Sequence, residues 1–226
     1  DNSGNAQGAR YNNSLGQVDY DTIRKVCSDQ GITLFTFFNA AFTAHLALQF
    51  RQSDISYGIL TSGRGKAEFA DIVGLFATSI ILRSQVKEKE SFLSHLKKME
   101  NELKQALSAQ DYPLEDLLEE IKVNHPKIHI AIDMLNANDD FLTRTVDPEK
   151  DGHLDTNESI KFDIMIYVVP LTDRIEFQCL YNRSFFDPLR IQNVMDSFVK
   201  RMINFGQNPE MLIESSRIKV IRKLLI

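Results

Sequence analysis

Cysteine is scarce in this chain. Cys27 and Cys179 stand far apart and fit neither a metal-ligand spacing nor a disulfide framework. Two reduced thiols are therefore expected. Basic runs are missing as well. Lys and Arg number 26 against 31 Asp and Glu, a formal net charge of -5, and no aromatic-rich basic cluster occurs. Nucleic acid is accordingly not an expected partner. No stretch holds the ~20 apolar residues of a membrane span, so a membrane is not an expected partner either, and a cytoplasmic location is the expectation. The opening "DNSGNAQGARYNNSLG" has no apolar signal core and reads as a flexible linker or cut end over residues 1–18. The glycines at 58, 63, 65 and 74 miss the spacing of dinucleotide and phosphate loops. The five histidines accompany no H-E-x-x-H and no nucleophile motif. The N-x-S/T triplets at Asn12, Asn157 and Asn182 are short patterns of chance frequency.

What is present is a chain of 226 residues, 43% hydrophobic, enough to build a sizeable core. Asp19 or Asp21 is expected to cap a helix that runs to about Gln30 and ends at Gly31. Thr33 caps "LFTFFNAAFTAHLALQF", a helix apolar nearly all round and so buried on several sides. Strands are expected over 56–61 and 76–83, with a short helix or turn between them over 68–73. Ser91 opens a long amphipathic helix, and Pro113 opens a shorter one. A strand over 128–135 precedes a polar loop from Asn136 to about Glu158. "IKFDIMIYVV" and "RIEFQCLYN" read as two strands joined by a short turn. Asp187, followed by Pro188, caps the last helix. Interleaved helices and strands predict an α/β sandwich with a mixed sheet.

Three features invite chemistry. His45 lies in the apolar helix and reads as a satisfied core histidine, whereas His95 reads as solvated; His125 and His129 flank a strand entry. "DPEKDGHLDTNE" has a calcium loop's outline, with oxygens from Asp147, Glu149, Asp151, Asp155 and Glu158 and a glycine at position six. A strand-like run follows it where a helix is required, so a solvated acidic loop is the expectation and no metal site is assigned. Finally, Gly63-Arg64-Gly65 sits at a strand exit. The glycines let backbone approach closely, and Arg64 either binds a phosphate or carboxylate or pins its loop through Glu68 or Asp71.

The order of these pieces resembles the C-terminal subdomain of the condensation domains of nonribosomal peptide synthetases, relatives of chloramphenicol acetyltransferase. "DISYGILTSGR" followed by "VGLFATSIILR" resembles D-I-x-x-G-x-P-x-x-G-R and I-G-x-F-x-N-T-x-x-x-R. "TLFTFFNAAF", "QDYPLEDLLEEI", "NHPKIHIAIDMLNA", "KFDIMIYV" and "LYNRSFFD" follow the family's remaining segments in order, over about Tyr20 to Phe205. Departures occur. The family's asparagine is Thr78 and the next threonine is Ser79. The base motif H-H-x-x-x-D-G is absent from this chain, so no catalytic residue is assigned.

The resemblance implies one lobe of a chloramphenicol acetyltransferase-like two-layer sandwich over 19–208, with 209–226 starting a linker to the next domain. It implies amide bond formation between carrier-bound acyl or peptidyl and aminoacyl thioesters, with this lobe inactive alone. Thr61, Ser62, Gly63, Arg64, Thr78, Ser79 and Arg83 become substrate-tunnel or lobe-bridging residues. No cofactor is bound directly; phosphopantetheine arms deliver the substrates. The implied partners are the N-terminal lobe, donor and acceptor peptidyl carrier proteins and a neighbouring adenylation domain. An isolated lobe would expose its interface, so a homodimer is expected. Two alternatives share these residues: a lobe of another acyltransferase of the superfamily, and a non-catalytic module that docks a carrier protein or partner lobe.

Overall fold

The computed structural model describes residues 8–63, 68, 72–74, 76–112, 116, 120, 128–135, 152–156 and 162–214. The expected helix at Pro113, His125, Arg64 and most of the calcium-like loop lie outside the described residues. Seven strands form one sheet: β1 (Gly8–Leu15), β2 (Asp54–Thr61), β3 (Thr78–Gln85), β4 (Ile130–Met134), β5 (Gly152–Thr156), β6 (Ile164–Pro170) and β7 (Ile175–Asn182). Their order across the sheet is β3-β2-β4-β6-β7-β1-β5. β2, β4 and β6 run parallel, and every other pairing is antiparallel. The sheet is therefore mixed, as the interleaved sequence implies.

Four longer helices, α1 (Gln17–Gln30), α2 (Leu34–Phe50), α3 (Phe92–Ser108) and α4 (Pro188–Gln207), pack with the sheet around the main core. Their starts follow local chemistry. The Thr33 hydroxyl accepts from the Thr36 amide, Ser91 from Ser94 and Asp187 from Arg190, each filling an orphan donor of a first turn. α2 is central, which its lack of a polar face requires. Phe42 meets Tyr57 and Phe198 edge-on at 5.2 and 5.5 Å. Phe38 meets Phe177 at 6.0 Å, and Phe92 stacks on Phe205 at 4.1 Å. The Tyr57 hydroxyl donates to Asn39 Oδ1 at 2.7 Å and so pins β2 to α2 through an otherwise costly buried phenol.

β7 is buried along its whole length. Ile175, Phe177, Cys179 and Tyr181 belong to the main core, while Leu180 joins Ala131, Phe162 and Met165 in a smaller apolar cluster. Period-two alternation places these two sets on opposite faces.

The structure corrects several expectations. The segment 1–18 is not all linker, because Gly8–Leu15 pairs with β7 along its length. Tyr11 and Asn13 then bond Asp196 of α4 at 2.6 and 2.7 Å, which explains why so polar a stretch is retained in a sheet. The first helix begins at Gln17 behind Gly16, ahead of both aspartates considered as caps. The polar loop expected over 136–158 contains β5, paired with β1 from Gly8↔Thr156 to Asn12↔Gly152. An extended run from Gly152 to Thr156 replaces the second half of the calcium-like loop. Residue 208 does not end the packed chain either: Leu212 bridges to Ser91, and Ile213 is buried.

Candidate functional site

The parallel strands β2, β4 and β6 end together at Thr61, Met134 and Pro170, along one edge of the sheet. In open α/β sheets ligands gather outside such carboxyl ends. β6 returns at once through a turn in which the Leu171 amide donates to the Arg174 carbonyl at 2.8 Å. The connections after β2 and β4 are far longer, spanning 62–77 and 135–151. For the immediate neighbours β2 and β3 a connection of that length is uncommon, whereas 135–151 has to pass β6, β7 and β1 to reach β5.

Most of the sequence-selected residues gather at this edge. Thr61 faces Thr78 and Leu60 faces Ser79 in the last rungs of the β2–β3 pair, and Ser62 and Gly63 follow directly. The Thr61 hydroxyl is buried without a hydrogen-bond partner, so it is a donor held ready at the exit. Gly63 has φ +63°, and a Cβ there would stand 1.9 Å from the Phe76 carbonyl oxygen. Only glycine fits that crossing. Gly58 is constrained too: a Cβ would meet Ile128 at 2.9 Å, where β2 leans on the entry to β4. Between the crossing strands the chain displays apolar groups to solvent, with Val73 99% and Ile72 48% exposed.

Arg83 is not part of this cluster. It pairs with Ser56, at the far end of β2–β3, and its guanidinium grips the Asp54 carboxylate through Nε at 2.9 Å and Nη2 at 2.6 Å. Those hydrogen bonds hold Asp54 below its usual carboxylate range and raise Arg83. Arg83 is thus a surface clasp between neighbouring strands.

The histidines sort differently from expectation. His95 is fully buried rather than solvated; its Nε2 lies 2.7 Å from the Thr43 hydroxyl, and its Nδ1 lies 3.5 Å from Glu90. His45 is a core residue, but neither ring nitrogen has a hydrogen-bond partner. Burial, and secondarily the charge of Arg201, lowers its pKa to about 3, so it is neutral. His129 pairs with Asp163 just before the starts of β4 and β6. Sequence reading missed that pair because its members lie 34 positions apart and meet only through parallel strand register. Both cysteines are buried, and desolvation pushes each thiol up to about 12. Neither is a nucleophile in this state.

Two cavities lie away from the carboxyl edge. One of about 340 Å³ is lined by Ala47, Arg51, Lys87 and Ile213. A second, of about 220 Å³, lies between α2, α4 and the start of β4 and β6. Among the described residues no group of acidic, histidine or cysteine side chains could hold a metal ion. No single described helix is long and apolar enough to cross a membrane.

Comparison with known proteins agrees with this architecture. Surfactin synthase subunit 1 of Bacillus subtilis is 26% identical over 214 residues, which are 92% of this chain and 6% of that protein. Tyrocidine synthase 2 of Brevibacillus parabrevis is 25% identical over 212 residues, 90% of this chain and 6% of that protein. Among solved structures, a four-domain nonribosomal peptide synthetase bound to AMP and glycine superposes with a TM-score of 0.80 at 15% identity, covering 92% of this chain and 17% of that one. The condensation domain of a monacolin K polyketide synthase gives 0.74 at 16% identity, covering 90% of this chain and 48% of that one. The chain thus spans about half of that solved domain. The family model described as "Condensation domain" matches residues 1–219. By that match the chain belongs to the condensation-domain family.

Proposed function

We propose that this chain is the C-terminal lobe of a condensation domain. Its complete form joins a carrier-bound acyl or peptidyl thioester to a carrier-bound aminoacyl thioester, forming an amide. One observation carries the reading: a family match over 1–219 on a chain that spans 48% of a solved condensation domain. The absence of H-H-x-x-x-D-G from the sequence supports it, since the general base must then come from another lobe. The exit after β2 supports it too. Glycine-only geometry at Gly63, packed against Phe76, marks where the chain leaves β2, and exposed Ile72 and Val73 suit a partner surface. In this role Thr61, Ser62, Gly63 and Arg64 face the other lobe, while Thr78 and Ser79 offer hydroxyls beside the substrate path. Arg83, already bound to Asp54, braces β3 and does not reach substrate. Phosphopantetheine arms bring both substrates from donor and acceptor carrier proteins, and an adenylation domain neighbours the assembly. Alone, the lobe pairs with itself through its uncovered face.

The deciding experiment joins this chain to an N-terminal lobe that carries H-H-x-x-x-D-G and supplies both loaded carrier proteins. Amide product from the joined protein, and none from this chain alone, is the expected result. Product from the chain alone would overturn the assignment. No product from a correctly folded joined protein, with carrier binding retained, would favour a docking module. That second reading has one structural observation behind it. An X-domain from teicoplanin biosynthesis, solved also in complex with OxyB, superposes with TM-scores of 0.78 alone and 0.77 in the complex.

A further inference from the structure

The cavity of about 220 Å³ opens at the amino ends of β4 and β6, the opposite edge of the sheet from the long exits. Its inner wall is closed: Phe42, His45, Ile166, Met195 and Phe198 are at most 2% exposed, so nothing from outside reaches them. Its mouth is open. Phe50 is 47% exposed there, and Ile130, Ile164, Phe186 and Val194 are half-buried, so apolar surface faces outward. Three charged or titratable side chains stand at the mouth, His129, Asp163 and Arg190. His129 and Asp163 are bonded to each other, with 64% of the histidine side chain exposed and only 12% of the aspartate. That carboxylate is therefore largely withdrawn from solvent and already satisfied. Arg190 is exposed in the first turn of α4, and its guanidinium has no ion-pair or hydrogen-bond partner among the described residues. Asp187, the acid next to it in the turn, spends its carboxylate on the Arg190 amide at 3.2 Å as the helix cap. The charge that the mouth presents is thus an unmatched guanidinium beside apolar surface.

We propose that this mouth is a binding site for a small amphipathic carboxylate, with its anionic end on the Arg190 guanidinium and its apolar body against Phe50, Phe186 and Val194. Charge selects the anion. The planar fork of a guanidinium matches the two oxygens of a carboxylate, whereas a cation is repelled and a neutral ligand leaves the fork unmatched. Position joins the two halves: Arg190 and Val194 lie four residues apart on α4 and so share one face of it, beside the exposed ring of Phe50. Size limits the body. A cavity of roughly 150 Å³ holds benzene, so about 220 Å³ admits one ring with a short substituent. The site is independent of the lobe assignment, since every residue it uses belongs to this chain and none lies at the long exits.

The test is calorimetric titration of the 226-residue chain with three probes. 4-Ethylbenzoate carries both halves, 4-ethylbenzyl alcohol keeps the body without the charge, and acetate keeps the charge without the body. Saturable 1:1 binding of 4-ethylbenzoate is expected, about tenfold tighter than the alcohol, the net worth of a charge-assisted hydrogen bond. Acetate should not saturate. Arg190→Met, at an exposed position, should erase the preference for the carboxylate while the alcohol still binds. Phe50→Ala should weaken both ring-bearing probes alike and leave the preference intact. On unmodified protein, NMR amide shifts should move at Phe50, Arg190 and Val194 and stay fixed at Thr61 and Thr78 on the opposite edge. Equal affinities for the carboxylate and the alcohol, binding of neither, an undiminished preference in Arg190→Met, or shifts confined to other parts of the chain would overturn the proposal.

Discussion

Gly31 and Gly63 offer a controlled comparison. Both adopt left-handed backbone, at φ +65° and +63°, but their surroundings differ completely. Nothing lies within 4 Å of a Cβ built on Gly31, whereas a Cβ on Gly63 stands 1.9 Å from the Phe76 carbonyl oxygen. Gly31→Ala should therefore lose only the left-handed backbone penalty, about 1–2 kcal/mol. Gly63→Ala incurs the same penalty and must also part the crossing strands by more than an ångström. That opening removes the terminal β2–β3 rungs at Thr61↔Thr78 and Leu60↔Ser79. At about 1 kcal/mol per lost hydrogen bond, its total should reach ~3–4 kcal/mol. With a urea slope near 2 kcal/mol/M, the midpoint should fall by about 0.5–1 M for Gly31→Ala and about 1.5–2 M for Gly63→Ala. Amide exchange at Thr78 and Ile80 should accelerate only in the second variant. Equal midpoints together with unchanged exchange at those amides would refute the crowded crossing, and with it the argument that glycine is required at the exit.

Three further outcomes are expected. His45 titrates near 3 in the folded chain against an ordinary value of 6.5, so the unfolded chain binds the extra proton first. Its stabilising effect is complete above pH 6.5 and is lost as pH falls toward 3, at up to about 1.4 kcal/mol per pH unit. His45→Leu should flatten that part of the stability profile. Arg201, Arg190 and the His129–Asp163 pair, the titratable and charged groups around the ring, are the same in both proteins, so the difference between the two profiles isolates His45. Cys27 and Cys179, pushed up to about 12, should resist a disulfide reagent at pH 8 and react together only when denaturant unfolds the chain; rapid native labelling of either would contradict its burial. Thr43→Val should cost about 1–3 kcal/mol in urea melts, because His95 Nε2 loses its partner at 2.7 Å inside the core.

Much of this fold is local, and local features could be read from the sequence. Thr33, Ser91 and Asp187 cap the helices they precede, because a cap and its amide lie three residues apart. The β6–β7 pair is legible for the same reason, as its turn is short. What escaped is non-local. β1 shows apolar residues only at Ala9, Tyr11 and Leu15, with Asn13 interrupting the alternation, and its partners β5 and β7 lie more than a hundred residues away. The Asp54–Arg83 clasp depends on cross-strand register, and His95 looked solvated because Lys97 and Lys98 follow it in sequence, whereas its ring meets Thr43 of another helix. At the candidate site the sequence located the exit correctly. It could not show that Arg83 is tied to Asp54, or that His45 is buried with neither ring nitrogen hydrogen-bonded.

The sheet itself supplies the last step. β2 is fixed at both ends of its exit region, by Gly58 against Ile128 on one side and by the Gly63–Phe76 crossing on the other. Tyr57 anchors the same strand to α2. A strand held this firmly does not need a long excursion to reach β3, its immediate antiparallel neighbour; a turn as short as the one after β6 would serve. The length of 62–77 is therefore unexplained by the needs of this sheet. The connection 135–151 leaves from the neighbouring strand at the same edge, but it has to pass β6, β7 and β1 to reach β5, so the sheet order accounts for its length. The 62–77 connection, with Ile72 and Val73 exposed, has a physical rationale if it meets a surface outside this chain. On that view rigidity and reach are complementary: the glycine-locked strand fixes where the excursion starts, so that the residues beyond it arrive at a second lobe in a defined place.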